Sequence, residues 1–235
     1  MTKENTKTES NTINKKAITE MIEAGVLYGH KKSKVDPRMR KYIAANRHEI
    51  DLLDANAVES ALEEATKFLS SVIAKNEHIL FVGTMPSSIG SVEKISSELN
   101  QPYVKNRWLG GTLTNFKVIR KRIDYYQDLR KQQEEGKLEK YTKKEQVDFA
   151  KEIDKLSMNF EGLKTLDKFP GTVFVINPKE HETAVNEAMN KEIPVVAIMD
   201  TNDNPDVIDY PILANDHSVS SINWVIETLI SNLKK

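Results

Sequence analysis

The sequence predicts an open, doubly wound α/β fold with a parallel sheet and one helical insertion. Three observations carry this. The runs HILFVGT (78–84), TVFVINP (172–178) and IPVVAIMDTN (193–202) are almost continuously apolar, the pattern of strands buried on both faces. Amphipathic helical segments alternate with them, so helices are expected on both faces of the sheet. From residue 115 to about 165 strand signals vanish, and apolar residues recur at steps of three and four.

Residues 1–16 are polar and aperiodic, and a disordered tail is expected there. Ala17 to Ala24 reads as a short helix closed by Gly25 as its C-cap. Residues 29–48 hold Gly29, Pro37 and many cations and read as a structured loop rather than a regular element. EIDLLD (49–54) reads as a short strand. Over 56–75, Val58, Ala61, Leu62, Ala65, Leu69, Val72 and Ile73 form a helical stripe. Asn56 with Glu59 has capping-box spacing at its start. Ser87 to Leu99 reads as a helix, Pro102-Tyr103-Val104 as a short strand, and 180–190 as a helix. Ser218 to Leu233 closes the chain with an apolar stripe of Val219, Ile222, Ile226, Leu229, Ile230 and Leu233.

In the insertion, Phe116, Ile119, Ile123 and Tyr126 make one narrow seam. Phe149, Ile153, Leu156, Phe160 and Leu163 make a second after Gly136. Heptad-like seams with dense charge elsewhere predict an antiparallel coiled-coil hairpin over 115–163, inserted between the two parts, 17–114 and 164–235, of the α/β domain.

The chain has 235 residues, 39% hydrophobic and 29% charged, which suits a soluble globular protein of one or two domains. No apolar run reaches membrane-spanning length, and the N-terminus lacks the apolar core of a secretory signal. The expected location is therefore the cytoplasm. Cysteine is absent, which excludes disulfides, thiolate metal sites and Cys nucleophiles.

A net charge of −1 hides an asymmetry. Between residues 31 and 47 stand seven cations (Lys31, Lys32, Lys34, Arg38, Arg40, Lys41, Arg47) and one acid, Asp36. Between 101 and 123 stand six (Lys105, Arg107, Lys117, Arg120, Lys121, Arg122) and no acid. Two such segments can hold a polyanion on one face, or be ordinary solvated faces. The second also carries Trp108, which could stack on a base or lie buried under the loop. Its Gly110-Gly111 permits close backbone approach to a phosphate. Thr112, Thr114 and Asn115 offer short polar groups that can also cap the next helix.

Catalytic signals are weak. Neither a GxGxxG nor a GxxxxGK[ST] motif is present, and no GxSxG elbow or HExxH occurs. His30, Asp200 and Asp216 occupy polar loop positions. If the Gly29-His30 loop folds over the sheet's carboxyl edge, they suit a divalent ion such as zinc, with water or His217 as fourth ligand. The alternative is that they hydrogen-bond locally and shape loops. An α/β nucleotide- or metal-dependent enzyme using that edge is the competing functional class.

The segment RWLGGTLTNF (107–116) closely resembles a signature of the universal ribosomal protein S-two family. EAGVLYGHKKSKVDPRMRKYI (23–43), FVGT, TKKE (142–145), VFVINP, IPVVAIMDTN, NPDVIDYPI (204–212) and Asn215-Asp216 follow in the family's order. The resemblance covers about residues 17–232. It implies a Rossmann- or flavodoxin-like domain with a coiled-coil hairpin of the bacterial or organellar type, and no enzymatic activity. It also implies binding of small-subunit rRNA between the head and body of the ribosomal subunit, neighbouring ribosomal proteins including S-one, and no required cofactor, membrane or small-molecule substrate. The rRNA contacts it suggests are Lys31, Lys32, Lys34, Arg38, Arg40, Lys41, Arg47, Lys105, Arg107, Trp108, Thr112, Asn115, Lys117, Arg120 and Lys121. The chain departs from the family pattern at Met85, where Lys is usual, and at Arg47, Glu161 and Ala214, where Gly is usual.

Overall fold

The computed structural model describes residues 17–234; the predicted tail over 1–16 lies outside them. The element order is α1 (17–23), β1 (Tyr28–Lys31), β2 (Ile43–Arg47), β3 (Ile50–Leu53), α2 (Ala55–Ala74), β4 (Ile79–Val82), α3 (Pro86–Leu99) and β5 (Tyr103–Val104). It continues with α4 (Phe116–Glu134), α5 (Lys143–Phe160), β6 (Thr172–Ile176), α6 (Glu182–Asn190), β7 (Val195–Met199), β8 (Tyr210–Leu213) and α7 (Val219–Leu233). The described residues of Met1–Ser70, Ile176–Lys179 and Val196–Lys235 form one compact unit; Ser71–Val175 and Glu180–Val195 form another. Five strands pair in parallel, β7 with β8 in the first unit and β5-β4-β6 in the second, and helices alternate with them. This is the α/β class with a parallel sheet that the apolar runs predict.

In the first unit, α1 ends as expected at Gly25, whose φ is +76°. Gly25 N–H donates to Ile22 O at 3.1 Å and Val26 N–H to Met21 O at 2.9 Å, the paired bonds of a Schellman motif. The reading of 29–48 as a loop is corrected: β1 and β2 lie there, forming with β3 an antiparallel sheet in the order β1-β3-β2. The sequence conceals β2 because IAANR is mostly exposed and shows no hydrophobic alternation. Arg47 pairs with Ile50, leaving His48-Glu49 as a two-residue turn with φ of +50° and +65°. A tight hairpin turn of this hand needs positive φ at both positions, so it forms here without its usual Asn-Gly. The capping expectation is also corrected. Asp54, one residue outside α2, caps it by accepting Asn56 N–H at 3.0 Å. Strand β8 is an unpredicted element, because Pro211 lies inside it; the strand ends the sheet order, where a missing N–H is tolerated.

In the second unit, every residue of β4 and β6 is buried, and the rings of Phe81 and Phe174 meet 5.2 Å apart. Helix α4 buries Ile119, Ile123, Tyr126 and Leu129, and α5 buries Ile153 and Phe160. The two helices touch, with Tyr125 OH donating to Glu152 at 3.2 Å. Past α5, Glu161 gathers the Tyr126 hydroxyl, Arg130 at 2.9 Å and Lys164 at 2.6 Å. This acid therefore ties α4 to the segment that follows α5.

Candidate nucleic-acid interface

The first basic segment runs through β1, two 3-10 turns (Lys32–Lys34 and Pro37–Tyr42) and β2. Met39 is fully buried and pins the second turn to the unit's core. The turns then display Lys31, Lys32, Lys34, Arg38, Arg40, Lys41 and Arg47, all exposed. Arg38 is partly neutralised. Its guanidinium donates to Asp36 at 2.9 Å, and that bond holds the Asp36 carboxyl down at about 2. None of the other six has a carboxylate partner among the described residues. A surface that leaves cations unpaired is open to phosphates.

The second segment is a loop followed by the start of α4. Arg107, Lys117, Lys121 and Arg122 are exposed. Lys105 is bound to Glu93 at 2.5 Å, which raises its pKa. Arg120 donates to Leu166 O at 2.8 Å and pairs with Asp124 at 2.7 Å, so it braces the base of α4. Thr112 is buried and donates to Leu109 O at 2.6 Å. Asn115 is the N-cap residue of α4 but makes no side-chain cap bond. Gly111 has φ +90°, a backbone state that requires glycine, while Gly110 faces open space.

One residue that organises this loop escapes sequence reading. The buried Glu187 of α6 accepts Trp108 Nε1–H at 3.1 Å, the N–H groups of Gly111 at 2.7 Å, Leu113 at 2.9 Å and Thr114 at 3.1 Å, and the Thr114 hydroxyl. Burial raises its pKa, but the donors of Thr114, Gly111, Leu113 and Trp108 outweigh that and lower it overall. A signal existed: Glu187 sits on the apolar stripe of α6 beside Ala184 and Ala188. Trp108 is thus half-buried with its N–H engaged.

The proposed metal set is corrected. His30 Nδ1 lies 2.7 Å from Asp200 Oδ2, and His30 N–H donates to Thr201 Oγ1 at 2.9 Å. Asp200 N–H and Thr201 N–H are taken by Asp203 and by Asp200 itself. Asp216 Oδ1 stands 3.5 Å from His217 Nε2. Among the described residues no group of three or more His, Cys, Asp or Glu could hold a metal ion. Asp200 instead serves as the dock for the Gly29-His30 segment, so the zinc set is not assembled. A Cβ on Gly29 would stand 2.5 Å from Thr201 Cγ2 and 3.0 Å from Asp51 O, so only glycine permits that approach. His181 is buried and accepts Thr84 N–H at 3.1 Å, closing the turn after β4.

Comparison with known proteins decides the family. The profile described as "Ribosomal protein S2" matches residues 21–235. The chain belongs to the ribosomal protein S2 family. Among its relatives, the small ribosomal subunit protein uS2 of Borrelia hermsii is 39% identical over 202 residues, covering 86% of this chain and 80% of that one. The uS2 proteins of Roseiflexus sp. and Chloroflexus aggregans are 40% and 39% identical over 205 residues, covering 87% of this chain and 78% and 86% of theirs. This S2-family chain is accordingly a structural, non-enzymatic component of the small ribosomal subunit, and the enzyme alternative falls. Among the described residues no helix is long and apolar enough to cross a membrane.

Proposed function

We propose that this chain holds small-subunit rRNA through its two basic segments, one in each compact unit. The observation that carries this is the set of exposed cations in 31–47 that have no carboxylate partner among the described residues. In the second segment Arg107, Lys117 and Lys121 supply the phosphate contacts. Lys105, Arg120, Trp108 and Thr112 act by holding the loop, since their polar groups are already engaged. Neutralised phosphates release counterions, so affinity falls linearly in log salt. The finer placement, between head and body of the subunit with ribosomal protein S-one docked nearby and the hairpin 115–163 as a coiled coil, rests on the family resemblance. Sedimentation of the chain with small subunits stripped of their S2 protein, at rising salt, tests the reading. Binding that weakens with salt and is lost in a variant lacking the 31–47 cations supports it; salt-independent binding overturns it.

A further inference from the structure

Among the cations of the first unit stands a carboxylate that phosphate contact does not use. A pocket of about 370 Å³ opens between the first 3-10 turn, β2 and β3, lined by Lys32, Val35, Arg40, Ile43 and Asp51. That volume lies in the range of small-molecule sites, about 300–1,000 Å³. Asp51 is only 5% exposed. Its Oδ1 accepts the Asn46 side-chain N–H, while Oδ2 has no partner among the described residues. The Oδ2 oxygen is not sealed from solvent, so it is free to accept from a molecule that enters the pocket. Neither Lys32 nor Arg40 pairs with it, although both line the same pocket.

We propose that this pocket takes one unstacked guanine of the bound RNA. The inference rests on the RNA reading above and names what that surface selects. The donor requirement comes from Asp51: an ionised carboxylate only accepts, and guanine presents two adjacent donors, N1–H and the 2-amino group, on its Watson–Crick edge. Adenine and cytosine present one amino donor beside an acceptor that the carboxylate repels. Uracil presents one donor between two carbonyls. Val35 and Ile43 give the apolar wall that a base face needs. Arg40 can lie over the ring, and Lys32 meets the adjoining phosphate.

The test uses the full chain and fluorescently labelled single-stranded heptaribonucleotides of uridine, with guanosine, adenosine, cytidine or inosine at the centre. Anisotropy at fixed salt gives the affinities. The guanosine oligomer is expected to bind roughly tenfold more tightly than the adenosine one, as a good base-edge pair discriminates. Inosine, which lacks the 2-amino group, falls between. In Asp51→Asn, which keeps an acceptor for Asn46, the guanosine oligomer drops to the level of the adenosine one. Equal binding of guanosine and adenosine by the unaltered chain overturns this proposal while leaving the RNA reading intact. Binding of none of the oligomers overturns both.

Discussion

The carboxylate of Glu187 accepts the indole N–H of Trp108 at 3.1 Å. Through that bond and those to Gly111, Leu113 and Thr114, a buried acid shapes a basic loop. Removing the carboxylate strands several donors at once, the buried Leu113 N–H among them, so Glu187→Ala is expected to cost about 3–5 kcal/mol. In a Trp224→Phe background, Trp108 emission should shift to the red as the loop opens. Because the Glu187 pKa is lowered in the fold, its stabilisation is present above 4.5 and lost as pH falls through the folded value. The loop should therefore loosen on acidification. Unchanged urea unfolding and emission in Glu187→Ala would contradict this.

Much of the fold was legible because burial on both faces leaves an unmistakable apolar run, as in β4 and β6. What stayed hidden had local physical reasons. The strand β2 shows no alternation, β8 contains Pro211, and the β2–β3 turn uses His48-Glu49 where Asn-Gly is the usual sign. At the site, the cations were readable as charge. Which of them are already engaged was not, because Glu93, Asp124 and Leu166 O are brought in by the fold. The His30 and Asp200 pairing was foreseen as proximity but not as a dock for Gly29.

Gly29→Ala tests that dock. The added methyl meets Thr201 at 2.5 Å and the Asp51 backbone at 3.0 Å, so β1 must shift. Overpacking of this kind costs about 1–3 kcal/mol. Thermal unfolding should show it, and Gly29→Ala with Thr201→Ser, which removes the nearer clashing methyl, should recover part of the loss.

Asp203 gives a pH signature. Burial first, with Asp200 nearby, raises its carboxyl from 3.8 to about 6 against opposing contributions from the Asp200 N–H, Lys179 and His30. The folded protein therefore holds this proton more tightly than the unfolded chain. Stability from this group is full below 3.8 and lost as pH rises through about 6, a difference of about 3 kcal/mol. Asp203→Asn keeps an acceptor for Asp200 N–H. Relative to the unaltered chain it should gain stability between pH 4 and pH 7, measured by chemical denaturation. A pH-independent difference would contradict the assignment.

The outer part of the insertion should be dispensable and its base should not. Arg120, Gln127 and Arg130 bond to Leu166 O, Lys164 O and Glu161. Replacing 131–148 by a short Gly/Ser linker should leave one cooperative transition within a few degrees of the original. Glu161→Ala, which releases Tyr126, Arg130 and Lys164 together, should cost about 1–3 kcal/mol. Loss of the transition on tip removal would show that the outer turns hold the fold.

The central claim is that exposed cations in both basic segments neutralise rRNA phosphates, and the salt slope of binding measures it most directly. Each phosphate contact contributes about −0.7 to −0.9 to the slope of log K against log salt. Arg40→Gln with Lys41→Gln should flatten the slope by about 1–2 units, and Arg107→Gln with Lys117→Gln should do so independently. Trp108→Phe should leave the slope as it was. If both double variants stay folded and bind small-subunit rRNA with the original slope, the assignment of the RNA surface is wrong.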